Sequence, residues 1–211
     1  AGQSVQGSYS IAIGTNAGYL NQGLAGGGQG SAIAIGNLAG SEDQHPFTVA
    51  IGYLTGRYDQ GEWAVALGYN AALGENGVPA GGQGEYAIAV GYEAGKFRQG
   101  DWAIALGYQA GLGVTGVSGQ GTSAIAIGLE CGKIQQSEGA IAMGRLAGRT
   151  AQGIAAVAIG GANVGVNGAG SNNQGLCAIA VGTGAGVDAQ GEYSVAVGWA
   201  AGQTTQGEFS V

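Results

Sequence analysis

Charge is scarce in this chain of 211 residues: Asp, Glu, Lys and Arg make up 9% of it. The 13 acids outnumber the 6 bases, for a net charge of −7. Binding to nucleic-acid phosphates or to anionic lipid needs basic patches, so neither partner is expected. Long apolar runs are missing too. Glycine interrupts every apolar segment, none nears the length of a membrane span, and no membrane contact is expected within the chain. Proline occurs only 2 times. Without proline, and without glycine at every third position, a collagen-like helix is excluded.

What is plentiful is glycine, 48 residues of it. Glycine is costly to order, so each one needs a reason. Flexible glycine-rich linkers lack the regularly spaced Ile, Val and Leu found here. A solenoid with a turn glycine in every coil accounts for both. The repeating stretch reads most cleanly at Gln99-Gly100-Asp101-Trp102-Ala103-Ile104-Ala105-Leu106-Gly107. Its turn glycines are Gly14, Gly36, Gly52, Gly68, Gly91, Gly107, Gly128, Gly144, Gly160, Gly182 and Gly198. The steps between them are 22, 16, 16, 23, 16, 21, 16, 16, 22 and 16 residues. The unit is therefore 16 residues, with four insertions, and fixed-period self-similarity marks a repeat architecture. The order of the steps suggests a duplicated five-coil block, about 6–98 and 99–189, inside a single repetitive domain over 1–211. The chain opens inside the pattern, and Gly207–Val211 begin a further copy. It is read as a fragment of a longer fibre, with any export signal or anchor outside it.

The columns are strict. Two places before the turn glycine every copy has Ala, including Ala66, Ala89, Ala105, Ala126, Ala158 and Ala180. Three places before it stands Ile or Val, and one place before it Ile, Val, Leu or Met. Side chains alternate sides along a strand, so the aliphatic pair points one way and the small pair the other. Eight places before the turn lies Gln in ten copies, among them Gln60, Gln83, Gln99, Gln120, Gln152, Gln174 and Gln190. In the copy of Gly36 the pair Gly28-Gln29 is taken as the same feature displaced by one. A small pair after the turn, as in Ala110-Gly111, opens a second, shorter strand. Such columns imply coils stacked in register about 4.8 Å apart, so that eleven span roughly 50 Å. The Gln side chains then form an amide ladder. The alanine column is expected on a flank covered by sister chains, with those six alanines as interface candidates.

At these residues the chain resembles a known family. Ser194–Gly198 and Tyr9–Gly14 look like the head repeat of trimeric autotransporter adhesins, the YadA-like heads. Ala105–Ala110 is close to repeats in fibres of phages and large viruses. The resemblance runs over essentially the whole chain. It implies an all-β, left-handed parallel β-roll of about eleven coils, a homotrimer, and an extended attachment fibre. Where those heads have Asn before the core, this chain has Tyr9, Trp63, Tyr86, Trp102 and Tyr193.

No residue set looks catalytic, so no enzyme is expected, and no cofactor or metal. His45, the only histidine, has no recurring partner and reads as a turn residue. Cys131 and Cys177 fall in different columns three coils apart, too far to bridge, and both are expected to be buried thiols. Glu62, Glu85, Asp101, Glu138, Glu192 and Glu208 form one acidic column without the second carboxylate that calcium needs. Gly26–Gly30 lacks the Lys-Ser/Thr and the helix of a phosphate loop. Binding candidates are the rings of Trp63, Tyr86, Trp102 and Tyr193, and the insertions near Leu24–Gly28, Asn76–Gly82, Thr115–Gly119 and Asn167–Asn173, with Asn76, Pro79 and Asn172 singled out. Insertions in solenoids gather on one face, which is often the binding face. The rings are read as a cover for the roll edge or a seal between neighbouring chains, or as a platform for sugar rings or a partner surface. The expected role is a surface fibre, bacterial or virion-borne, that attaches its bearer to a host protein or glycan. A pure spacer is one rival. An ice-binding solenoid is another, though its regular polar ladder is missing.

Overall fold

A computed structural model describes residues 1–24, 30–78, 81–116, 119–163 and 167–211. The described residues contain strands and turns and no helix. The core segments of the eleven repeats, from Ile11–Ile13 to Val195–Val197, pair in parallel into one eleven-stranded sheet. The register places like over like, as in Ala105↔Ala126 and Ile104↔Ile125. This is the stacked parallel β-roll that the columns require.

The second strand of each coil forms the opposite face. Four strands lie at one end, from Ser4–Gln6 to Tyr58–Gln60. Five lie at the other, from Ile134–Gln136 to Thr204–Gln206. Between them the ladder narrows to single bridges, Gln60↔Gln83↔Gln99↔Gln120↔Gln136. The narrowing coincides with the second and third insertions, which take the place of regular strand.

The two faces lie so close that only methyl groups and amides fit between them. Alanines of the central column, such as Ala66, Ala105 and Ala158, are 0% exposed. Each ladder Gln reaches across this interior. Gln99 Nε2 donates to the Ile88 carbonyl of the preceding coil at 2.9 Å and to the Ala103 carbonyl of its own coil at 3.2 Å. One amide thus ties two faces and two coils. It also explains the glycine of the Ala-Gly pair: a Cβ on Gly95 (φ +52) would lie 2.7 Å from Gln99 Oε1. The turn glycine answers to a different neighbour. A Cβ on Gly128 would lie 2.8 Å from the Gly144 carbonyl oxygen one coil on.

The tight corners force non-glycine residues into left-handed backbone. In one coil Leu54, Asp59 and Trp63 have φ of 54°, 48° and 60°. Each such residue costs about 1–2 kcal/mol. That cost recurs in nearly every coil, so a lone coil has no stable fold and stability comes from stacking.

Three expectations need correction. The alanines offered as interface candidates, Ala66, Ala89, Ala105, Ala126, Ala158 and Ala180, are enclosed within the chain itself and cannot touch a sister molecule. The gap between the two faces is too thin for Ile or Val, so the smaller side of the alternation turns inward. Gln29 lies outside the described residues, and Gln22 fills the ladder position, paired with Gln6 and fully buried. Finally, Cys177 is exposed, whereas Cys131 is buried in the core and burial pushes its thiol up to about 12.

Candidate interaction surface

Because the alanines turn inward, the aliphatic pair of every strand turns out. Ile104 and Leu106 are half-buried, and on every strand the equivalent pair is half-buried or exposed. Eleven strands therefore present two unbroken columns of half-covered Ile, Val, Leu and Met along the whole roll. A contiguous apolar face of this length marks an interaction surface on a soluble chain. The sequence showed both columns; what it lacked was a reason to prefer one side of the alternation over the other.

Aromatic columns flank this face in part of the roll. Five places before the turn glycine, Phe47, Trp63, Tyr86 and Trp102 stack at centroid distances of 4.2, 6.4 and 6.1 Å. One place after it, Tyr53, Tyr69, Tyr92 and Tyr108 stack at 5.2, 5.1 and 5.0 Å. Tyr193 stacks on Phe209 at 5.2 Å in the last coils. The rings are about half exposed, 47% at Trp63 and 44% at Tyr69. Their faces are turned towards one another, so what they offer to solvent is mainly edge. A sugar ring stacks on an open aromatic face, and these stacked columns are poorly shaped for that.

The two columns are aromatic together. Coils with Phe47, Trp63, Tyr86, Trp102 or Tyr193 before the strand have Tyr53, Tyr69, Tyr92, Tyr108 or Trp199 after it. Coils with Ser123, Gly139, Ala155 or Cys177 before it have Leu129, Arg145, Gly161 or Thr183 after it. The coil with Ser31 and Asn37 also lacks both rings, and only Tyr9 with Thr15 breaks the rule.

Beyond the tyrosines runs a chain of polar side chains. Lys96 Nζ lies 2.6 Å from Glu93 Oε1, and Gln109 Nε2 donates to Glu93 Oε2 at 2.8 Å. Lys133 donates to Gln109 Oε1 at 2.8 Å and lies 3.4 Å from Glu130, which also meets Arg149 at 3.2 Å. Burial alone would raise the Glu93 carboxyl, but hydrogen bonds from Lys96 and Gln109 and the Lys96 charge hold it below the ordinary value.

The insertions do not share one face. The first opens after the Gln22-Gly23 corner. The second and third open after Gly74 and Gly113 and lie over one another, joined by the buried Glu75, whose Oε1 accepts the Gly116 N–H at 2.8 Å. Arg98 Nε lies 3.9 Å from Glu75 Oε2. The fourth precedes the Ala169-Gly170 pair, which occupies the usual post-turn corner, so its extra residues come before 169, and 169–173 belong to the regular coil. Asn172 sits in a regular strand and donates to Asp188 Oδ1 at 2.7 Å. Asn76 lies in the second insertion, and Pro79 is outside the described residues.

The ladder amides divide into two groups. Gln44 donates to Gln60, Gln60 to Gln83, Gln83 to Gln99 and Gln99 to Gln120, at 3.1–3.2 Å. Gln152, Gln174 and Gln190 donate to backbone carbonyls, and their Oε1 atoms accept no hydrogen bond among the described residues. His45 Nε2 lies 3.6 Å from Asp59 Oδ1. The Asp59 carboxylate beside it, outweighing burial, raises its pKa above the ordinary value. Among the described residues no three His, Cys, Asp or Glu side chains gather as a metal site requires.

With this geometry in view, comparison with known proteins gives one match. The family model of the YadA head domain repeat matches residues 4–17 and 178–201. The matched segments lie towards the two ends of the same stack and contain the strands Ile11–Ile13, Ile179–Val181 and Val195–Val197. The matched segments thus supply strands to both ends of the eleven-stranded sheet, whose register is continuous between them. No curated protein and no solved structure matches the chain.

Proposed function

We propose that this chain is part of a non-enzymatic trimeric surface fibre, an adhesin head that attaches its bearer to a host or neighbouring surface. The observation that carries this reading is the unbroken aliphatic face along a stack with YadA head repeats towards both ends. A face of half-covered Ile and Val is stabilised when it is removed from water, at about 25 cal/mol per Å². Three copies around an axis parallel to the stack bury it and leave the opposite face and the insertions outside. The assembled rod holds many weak contacts in register, and three copies multiply them by avidity. The partner is a host protein or glycan, and the setting is the outer surface of a cell.

The test has two parts. Sedimentation of the purified chain should give a trimer that stays intact on dilution to micromolar concentration, and a stable monomer would sink the assembly. Beads coated with the trimer should adhere to extracellular matrix or to a glycan array more than beads coated with a protein of equal charge. A trimer that adheres to neither would reduce it to a spacer.

A further inference from the structure

We infer that the two aromatic columns meet across the boundary between neighbouring copies. In each aromatic coil, the ring before the strand packs on the partner's ring after it. This rests on the self-association proposed above and specifies what joins the margins of the aliphatic face.

The argument starts from the pairing of the columns coil by coil. Trp63 goes with Tyr69 and Trp102 with Tyr108, whereas Ser123 goes with Leu129 and Ala155 with Gly161. Something couples the two positions. Within one chain nothing does. The ring contacts among the described residues run along a column, as from Tyr69 to Tyr92 or Tyr86 to Trp102, and none crosses from one column to the other. In the coil of Trp63 and Tyr69 the strand Val65–Leu67 separates the two. The half-buried aliphatic pair lies between them, which places the columns on opposite margins of the face.

Symmetry supplies the missing contact. Three copies around one axis associate heterologously: one margin of each face meets the opposite margin of the next copy. With the axis parallel to the stack, residues of one coil meet at the same height. Trp63 then faces Tyr69 of the partner subunit, and Trp102 faces Tyr108 of the partner subunit. Eight half-exposed rings in residues 47–108, each with a surface of about 150–250 Å², present on the order of 700 Å² to this contact. Each boundary takes four of these rings from one copy and four from its neighbour, so this is the total from both sides, a little under half of the roughly 1,600 Å² total of a standard stable interface, and the aliphatic face supplies the rest. Where both positions are small, as at Ala155 and Gly161, the margins do not touch and a groove stays open. The rings therefore seal one half of the fibre and leave the other half grooved.

Thiol cross-linking tests this directly. In a Cys177→Ser background, Trp102→Cys and Tyr108→Cys are combined, and the folded protein is treated with a short bismaleimide. The expected product is a closed covalent trimer on a denaturing gel, while either single variant gives no cross-linked species. Asp101→Cys with Gln109→Cys, beside the same two rings, is the second pair. It removes no ring, so it reads the same margin if the first pair disturbs folding. A trimer by sedimentation in which neither pair cross-links overturns the pairing and leaves self-association standing. Cross-linked dimers in the single variants would place one column on the axis and also overturn it. A monomer by sedimentation overturns both this inference and the reading it rests on.

Discussion

Residues 47–108 and residues 123–183 are built on the same coil. Both keep the buried alanine, the ladder Gln and the outward aliphatic pair, and their strands pair in one register. They differ in what surrounds that frame. The first region carries two stacked columns of rings, and amide-to-amide bonds that continue to Gln120. The second has Ser123, Gly139, Ala155 and Cys177 where the rings would be, and from Gln136 onward the ladder Oε1 atoms lack partners. The amides that donate to the next amide, Gln44, Gln60, Gln83 and Gln99, lie in the coils of Phe47, Trp63, Tyr86 and Trp102, and nothing in the structure explains why they coincide. The comparison separates two kinds of position. Interior columns are fixed by the narrow space between the faces and repeat without exception. Exterior columns are free to vary, and this chain has spent that freedom on one half.

If the interior is common to both halves, a substitution there should be equally harmful in each. Ala105→Leu and Ala158→Leu are both expected to destabilise by about 3 kcal/mol through overpacking. Paired thermal melts check this, and a large difference between the two would break the claim of a shared core. The ladder should distinguish the halves. Gln99→Ala removes bonds to Gln83 and Gln120 as well as to two carbonyls, so a loss of about 2–3 kcal/mol is expected. Gln152→Ala removes bonds to the carbonyls of Ile141 and Ala156, and about 1 kcal/mol is expected. Urea midpoints rank the pair.

The rings offer a gain as well as a loss. Trp102→Ala should cost about 1 kcal/mol from its stack on Tyr86, whereas Ser123→Tyr should lengthen the column by one ring and add about 0.5–1 kcal/mol. Ser123 has φ of 56°, against 55° at Trp102, so the backbone is already shaped to present the ring. Near-ultraviolet circular dichroism and the melting temperature follow both changes.

The smallest effect concerns pH and lies in the ring-bearing half. His45 has a raised folded pKa, so its pairing with Asp59 stabilises fully below the ordinary histidine value of about 6.5 and is lost as pH rises through the raised value. Glu93 has a lowered one, so its contribution is present above the ordinary carboxylate range and disappears as pH falls through the lowered value. For partly exposed pairs each amounts to at most about 1 kcal/mol. His45→Gln should remove the loss on the alkaline side and leave the acid side unchanged, as read from melts between pH 3 and pH 9.

Several features were legible before any coordinate. The spacing of the turn glycines gives the coil, and the unbroken columns of Ala and Gln give stacking in register. The displaced Gln near Gly36 misled, because Gln22 lies before the insertion and alignment to the following glycine passes over it. The fourth insertion misled for the same reason: Ala169-Gly170, and not Gln174, shows where the extra residues sit. In both cases the corner that closes the coil, and not the distance to the next turn, decides which residue belongs to the column.

The amino-acid sequence by itself determined the rung, its length and the identity of its repeated positions, because parallel stacking tolerates few changes in a column that meets itself above and below. Which of the two apolar sides is the interior was decided only by the tertiary structure. Period-two alternation is blind to the distance between the two faces, and that distance, filled by a methyl group and a Gln amide, leaves no room for Ile or Val.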